Sequence, residues 1–93
     1  MTYIIYTKTN CHKCQIAKDL LKREQTETVY INCDEMLRLN RDEFISSMRR
    51  RTGIQEPKLI MFPLIFIDDI YLGDEGDLLN HLVYELSMED QDF

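Results

Sequence analysis

The sequence predicts one α/β domain, a four-stranded mixed sheet flanked by helices with its elements in the order β-α-β-α-β-β-α. Three observations carry that prediction. Two short runs rich in β-branched and aromatic residues, 2–7 and 28–31, are separated by a segment with helical spacing, and strands joined through a helix pair in parallel. Two further apolar runs, 64–67 and 70–72, are joined only by Asp68-Asp69, so they return on each other as a hairpin. A length of 93 residues leaves room for one core, not two.

The first strand, 2–7, has the composition of a buried strand. Lys8-Thr9-Asn10 is a polar loop with capping residues, and Cys11 stands where a helix begins. Ala17, Leu20 and Leu21, with Ile16 beside them, carry that helix to about residue 24. The second strand follows at 28–31. Residues 35–51 form one predicted helix, with Phe44, Ile45 and Met48 on one face and Gly53 as its stop. The stretch 54–61 is irregular, and Pro57 excludes a continuing helix. After the hairpin, Leu78, Leu79, Leu82, Val83 and Leu86 mark a third helix from about residue 75. No repeat or linker divides the chain. A domain over 1–87 and an acidic, frayed tail over 88–93 are expected.

Composition excludes several function classes. The hydrophobic share of 44% is that of a globular protein, and no apolar run approaches the ~20 residues of a membrane helix. The N-terminus lacks a charged start and a small-residue cleavage site, so a cytoplasmic monomer with no membrane partner is expected. A net charge of −6 argues against nucleic acid, and Arg49-Arg50-Arg51 reads as a solvated helix end. Three cysteines are too few, and odd in number, for a secreted disulfide framework. In a reducing compartment a close pair is catalytic or metal-binding more often than structural.

That pair is Cys11 and Cys14. Disulfide exchange needs a thiolate, and a free thiol near ~8.5 must be lowered to work at neutral pH. A helix start offers unpaired N–H groups and about half a positive charge. Lys8, three residues upstream, can reach across the loop, while His12 and Lys13 add cationic or hydrogen-bonding character. The N-terminal cysteine of such a pair is exposed and the second tucked into the first turn, so Cys11 attacks and Cys14 resolves. The competing use is half a zinc site, but zinc wants four ligands. His12 lies inside the motif, and Cys33 and His81 stand alone, so no metal is expected. Cys33 reads as a half-buried small residue, and His81 as a surface or boundary one.

The segment Tyr6-Thr7-Lys8-Thr9-Asn10-Cys11-His12-Lys13-Cys14 resembles the active-site stretch of glutaredoxins, Tyr-Thr-Lys-x-x-Cys-Pro-Tyr-Cys. Phe62-Pro63-Leu64-Ile65-Phe66-Ile67-Asp68 is similar to the family's Val-Pro-x-x-Phe-Ile-x-Gly. Gly73, Asp77 and Leu78 match Gly-Gly-x-x-Asp-Leu, and Thr52-Gly53 matches a Thr-Gly pair. These run in order over nearly the whole chain. The resemblance implies a thioredoxin-like fold with a cis Phe62–Pro63 bond facing the cysteine pair. It implies a glutathione-dependent thiol–disulfide oxidoreductase acting on protein disulfides or glutathione mixed disulfides. Among protein partners, the resemblance implies ribonucleotide reductase. It further implies that Lys8 lies near the thiolate and the glycyl carboxylate of glutathione. Phe62 pairs with the cysteine moiety, with Pro63 beside it, and Glu75, Gly76 and Asp77 surround the γ-glutamyl carboxylate. The chain departs from the family pattern in three ways. His12 replaces the motif proline, nine residues separate Gly53 from Pro63, and Asp74, Glu75 and Asp77 crowd the anion site. Those departures also fit redoxins recycled by thioredoxin reductase. A metal or iron–sulfur module is a further alternative, opposed by the bulk of His12 and Lys13.

Overall fold

The computed structural model describes residues 1–90, with side chains as far as Tyr84. Its elements are β1 (Tyr3–Thr7), α1 (His12–Arg23), β2 (Thr28–Asn32), α2 (Asp34–Leu39), α3 (Arg41–Thr52), β3 (Leu64–Ile67), β4 (Ile70–Gly73) and α4 (Glu75–Asp90). The sheet order is β2-β1-β3-β4. β1 runs parallel to β2, with Ile5 opposite Tyr30, and antiparallel to β3, with Ile5 opposite Ile65. β3 and β4 form the expected hairpin.

Strand side chains alternate between the two faces of a sheet, and here both faces are covered. Tyr3, Ile5 and Ile65 pack with Ala17 and Leu21 of α1 and Leu78 and Leu82 of α4. On the opposite face Tyr6, Leu64 and Phe66 pack with Cys33 and with Phe44 and Met48 of α3. This two-sided burial explains why β1 and β3 are apolar at nearly every position rather than alternating with polar residues.

The structure corrects three expectations. The single helix over 35–51 is two helices, broken at Asn40 (φ −140°, ψ 53°). Asparagine leaves the helical region readily because its side chain competes for backbone groups, while the apolar spacing continues past it and conceals the break. Cys33 is fully buried, not half-buried. The arginine triplet is more than a solvated end. The Arg51 guanidinium lies 5.1 and 4.6 Å from the ring centroids of Tyr6 and Phe66 and donates to the Tyr6 hydroxyl at 2.6 Å. Arg49 donates to the carbonyls of Ile54 and Lys58 at 3.3 and 2.8 Å, tying the irregular segment to α3.

His81 is half-buried with its ring edge-on to Tyr3, a boundary position. α4 continues to Asp90, three residues beyond the expected end of the domain. Residues 91–93 of the acidic tail, and the side chain of Leu86, lie outside the described residues.

Candidate active site

The loop after β1 is fastened to the start of α2. Thr7 accepts from the Cys33 N–H at 2.8 Å. The Thr9 N–H donates to the Asp34 carboxylate at 2.9 Å, and the Thr9 hydroxyl donates to its second oxygen. The Asp34 N–H in turn donates to the Asn32 side chain at 2.9 Å. The Thr9 hydroxyl, then the Thr9 N–H, the Asn32 side chain and the Lys8 cation hold the Asp34 carboxyl below the usual range. Asn10 then takes a left-handed conformation (φ 58°), which asparagine tolerates better than most residues. That residue turns the chain into α1.

Cys11 caps α1 in extended conformation, and its sulfur accepts from the Cys14 N–H at 3.2 Å. The first turn of α1 contains no acidic residue, so no side chain of that turn offsets the partial positive charge of the helix start beside this sulfur. Cys11 and Cys14 are joined as a disulfide with Cα atoms 5.2 Å apart. Cys11 is half-buried and reachable, whereas Cys14 is 2% exposed. Of the two sulfurs, that of Cys11 is therefore on the more accessible residue and that of Cys14 on the shielded one.

The expected surrounding residues gather unevenly. Lys8 is exposed, with its ammonium 5.9 Å from the Phe62 ring centroid, and that ring stacks on Phe44 at 6.2 Å. The Phe62–Pro63 bond is cis and Pro63 is buried. A groove of about 430 Å³ opens between Cys11 and Phe62, with Lys8, His12 and Lys13 on its walls.

The start of α4 reaches the motif through Glu75, one carboxylate oxygen of which lies 4.0 Å from the Lys13 ammonium. The other oxygen is buried without a hydrogen-bond partner among the described residues. Asp77 and Asp74 cap the helix reciprocally. The Asp77 N–H donates to the Asp74 carboxylate at 3.0 Å, and the Asp74 N–H to that of Asp77 at 3.1 Å. One amide of the expected anion site is therefore already engaged, and the Asp77 carboxylate is turned back on its own helix. Gly76 is exposed beside them. No cluster of three or more His, Cys, Asp or Glu suited to a metal occurs among the described residues.

Several residues at the site lie outside the sequence expectation, among them Asp34, Arg41, Leu59 and Met61. Asp34 had a visible signal, an acid next to Asn32-Cys33 at a helix start. Arg41, on the groove wall, had none, because the break at Asn40 places it at the head of α3.

A family model described as Glutaredoxin matches residues 3–72. Glutaredoxin 1 of Rickettsia bellii is 30% identical over 86 residues, covering 92% of this chain and 76% of that protein. Among solved structures, the holo form of glutaredoxin C1 from Populus tremula x tremuloides superposes with a TM-score of 0.71 at 23% identity, covering 97% of this chain and 83% of that one. Glutaredoxin 1 from Francisella tularensis, complexed with cacodylate, gives a TM-score of 0.66 at 24% identity, covering 92% and 96%. The structural likeness concerns the fold, which is thioredoxin-like. The family match extends from β1 through the loop and helix that carry the cysteine pair, past the cis proline and β3, into β4. The chain therefore belongs to the glutaredoxin family and is a thiol–disulfide oxidoreductase.

Proposed function

We propose that this glutaredoxin is a dithiol enzyme that reduces protein disulfides and glutathione mixed disulfides, with glutathione as its reductant. The reading is carried by the asymmetry of the pair: a reachable Cys11 at a helix start whose first turn has no acidic residue, and a shielded Cys14 one turn on. The Cys11 thiolate attacks a substrate sulfur, the substrate disulfide breaks, and the departing thiolate takes up a proton. Cys14, once deprotonated, attacks the Cys11 sulfur of the mixed disulfide, releasing the second substrate thiol and leaving the Cys11–Cys14 disulfide. One glutathione thiolate reopens that disulfide as a mixed disulfide, and a second releases glutathione disulfide. Two electrons pass from glutathione to the cysteine pair, and two from the pair to the substrate disulfide.

Lys8 favours the thiolate and takes the glycyl carboxylate of glutathione, while His12 and Lys13 line the approach. The Phe62 backbone before Pro63 pairs with the cysteinyl part, and the start of α4 at Glu75 and Gly76 receives the γ-glutamyl end through backbone N–H groups. A ribonucleotide reductase disulfide is one protein substrate of this class. The protein acts as a monomer in a reducing, cytoplasmic setting.

A second reading, recycling by thioredoxin reductase, is favoured by one observation. The Asp74–Asp77 cap and the Glu75 carboxylate place negative charge where the γ-glutamyl carboxylate would bind. Parallel assays with bis(2-hydroxyethyl) disulfide separate the two, one supplied with glutathione and glutathione reductase, the other with thioredoxin reductase. Turnover sustained by glutathione is expected. It should be abolished in Cys11→Ser, whereas Cys14→Ser keeps turnover of glutathione mixed disulfides and loses that of protein disulfides. Turnover with thioredoxin reductase alone would overturn the glutathione assignment.

A further inference from the structure

The groove beside Cys11 differs in charge from the rest of the molecule. The chain carries 17 acidic and 11 basic residues, yet the groove walls hold Lys8, His12, Lys13 and Arg41 and no acidic side chain. A cationic groove in an acidic protein draws anionic segments toward it and turns cationic ones away.

Its far wall is apolar. Leu59 is 72% exposed and Met61 61% exposed, side by side with the partly buried Ile60 and Ile45. Two large side chains so near one another, rimmed by cations, have the make-up of a docking surface, an apolar centre within a charged border. The segment that presents them is anchored, not loose. Arg49 fastens the carbonyls of Ile54 and Lys58 to α3, the Lys58 N–H donates to Gln55 at 3.0 Å, and Ile60 packs against the core. Leu59 and Met61 are therefore held out towards solvent by a built framework, at the point where nine residues separate Gly53 from Pro63.

Glutathione does not account for this wall. It carries carboxylates, amides and an ammonium but no large apolar side chain, so it would leave Leu59 and Met61 uncovered. Building on the reading that the site reduces protein disulfides, we propose that the groove receives a segment of a partner protein in which the redox cysteine is flanked by acidic and large apolar residues. The acidic residues lie against Lys8, Lys13 and Arg41, and the apolar residue covers Leu59 and Met61. The partner's sulfur is thereby delivered to Cys11 for the exchange already described. Leu59, Met61 and Arg41 set which protein disulfides are reduced fast.

Fully reduced protein, reacted in single turnover with synthetic disulfide peptides, tests this independently of the recycling reductant. Three peptides share a backbone and differ beside the cysteine: Asp and Leu, Ser and Ala, or Lys and Ala. The Asp/Leu peptide is expected to oxidise the protein about tenfold faster than the Lys/Ala peptide, with an advantage that shrinks as salt rises. In a Leu59→Ser, Met61→Ser double variant, the rate constant for the Asp/Leu peptide falls about tenfold relative to that for bis(2-hydroxyethyl) disulfide in the same variant. Arg41→Gln reduces the salt dependence. Equal rates for the three peptides, or an unmoved ratio in the double variant, would overturn the proposal while leaving the disulfide reductase intact. Failure of every disulfide, the small one included, would overturn both.

Discussion

Cys33 is sealed between the end of β2 and the start of α2, and burial, followed by the nearby charge of Asp34, pushes its thiol up to about 11. Dithionitrobenzoate should therefore leave Cys33 untouched in native reduced protein and reach it only in denaturant. Because the folded value is raised, the thiol's contribution to stability is fully present below the ordinary value of ~8.5. It is lost as pH climbs from there through about 11. A urea midpoint that falls over that window, and falls less in Cys33→Ala, checks the sign. Asp34 works in the opposite direction. Its carboxyl is held low by the Thr9 hydroxyl first and the Thr9 N–H second. Its contribution is present above the ordinary value of ~3.9 and is lost as pH falls through the lowered one. At neutral pH, Asp34→Asn weakens the tie on the loop that aims Cys11 and should slow single-turnover exchange about fivefold. The alkylation midpoint of Cys11 should shift with it, which a merely structural role for Asp34 would not produce.

At the scale of elements, the turn from β4 into α4 depends on Gly73. Its φ of 139° suits no L side chain, and a Cβ there would run into the Asp77 carboxylate that helps cap α4. Gly73→Ala should lower unfolding free energy by about 1–3 kcal/mol, read as a lower urea midpoint. The hairpin, the parallel β1–β2 pair and the start of α1 were all legible in the sequence, because each has a local cause. These causes are a two-residue turn, an intervening helix and a polar loop ending in Asn10-Cys11. The cysteine pair was legible for the same reason. The break at Asn40 was not, since no Pro or Gly marks it and the apolar positions Phe44, Ile45 and Met48 continue the earlier spacing. Arg49, Arg50 and Arg51 look alike in sequence. Only the packing of α3 sends Arg51 over Tyr6 and Phe66 and Arg49 to the 54–58 backbone. Arg41, Leu59 and Met61 reach the groove through tertiary placement alone.

Over the whole molecule, the sheet is the wall between two small cores, and Phe66 stands near the middle of one. It is fully buried, with ring centroids of Tyr6 and Tyr71 at 5.6 and 5.4 Å. Phe66→Ala should cost about 3–5 kcal/mol, a large part of the roughly 5–15 kcal/mol that holds a domain of this size. Its melting temperature should therefore drop sharply. Charge is distributed just as unevenly. A net charge of −6 surrounds a reactive sulfur bordered by cations and by the positive end of α1. In the proposed mechanism that arrangement favours Cys11 as the attacking thiolate, with Cys14 as its resolver. Iodoacetamide alkylation of the reduced protein across pH, with the labelled residue mapped at each point, tests this assignment most directly. Labelling confined to Cys11, with a midpoint at least about one unit below the free-thiol value of ~8.5, is the expected result. Earlier labelling of Cys14, or a midpoint at or above ~8.5, would contradict it.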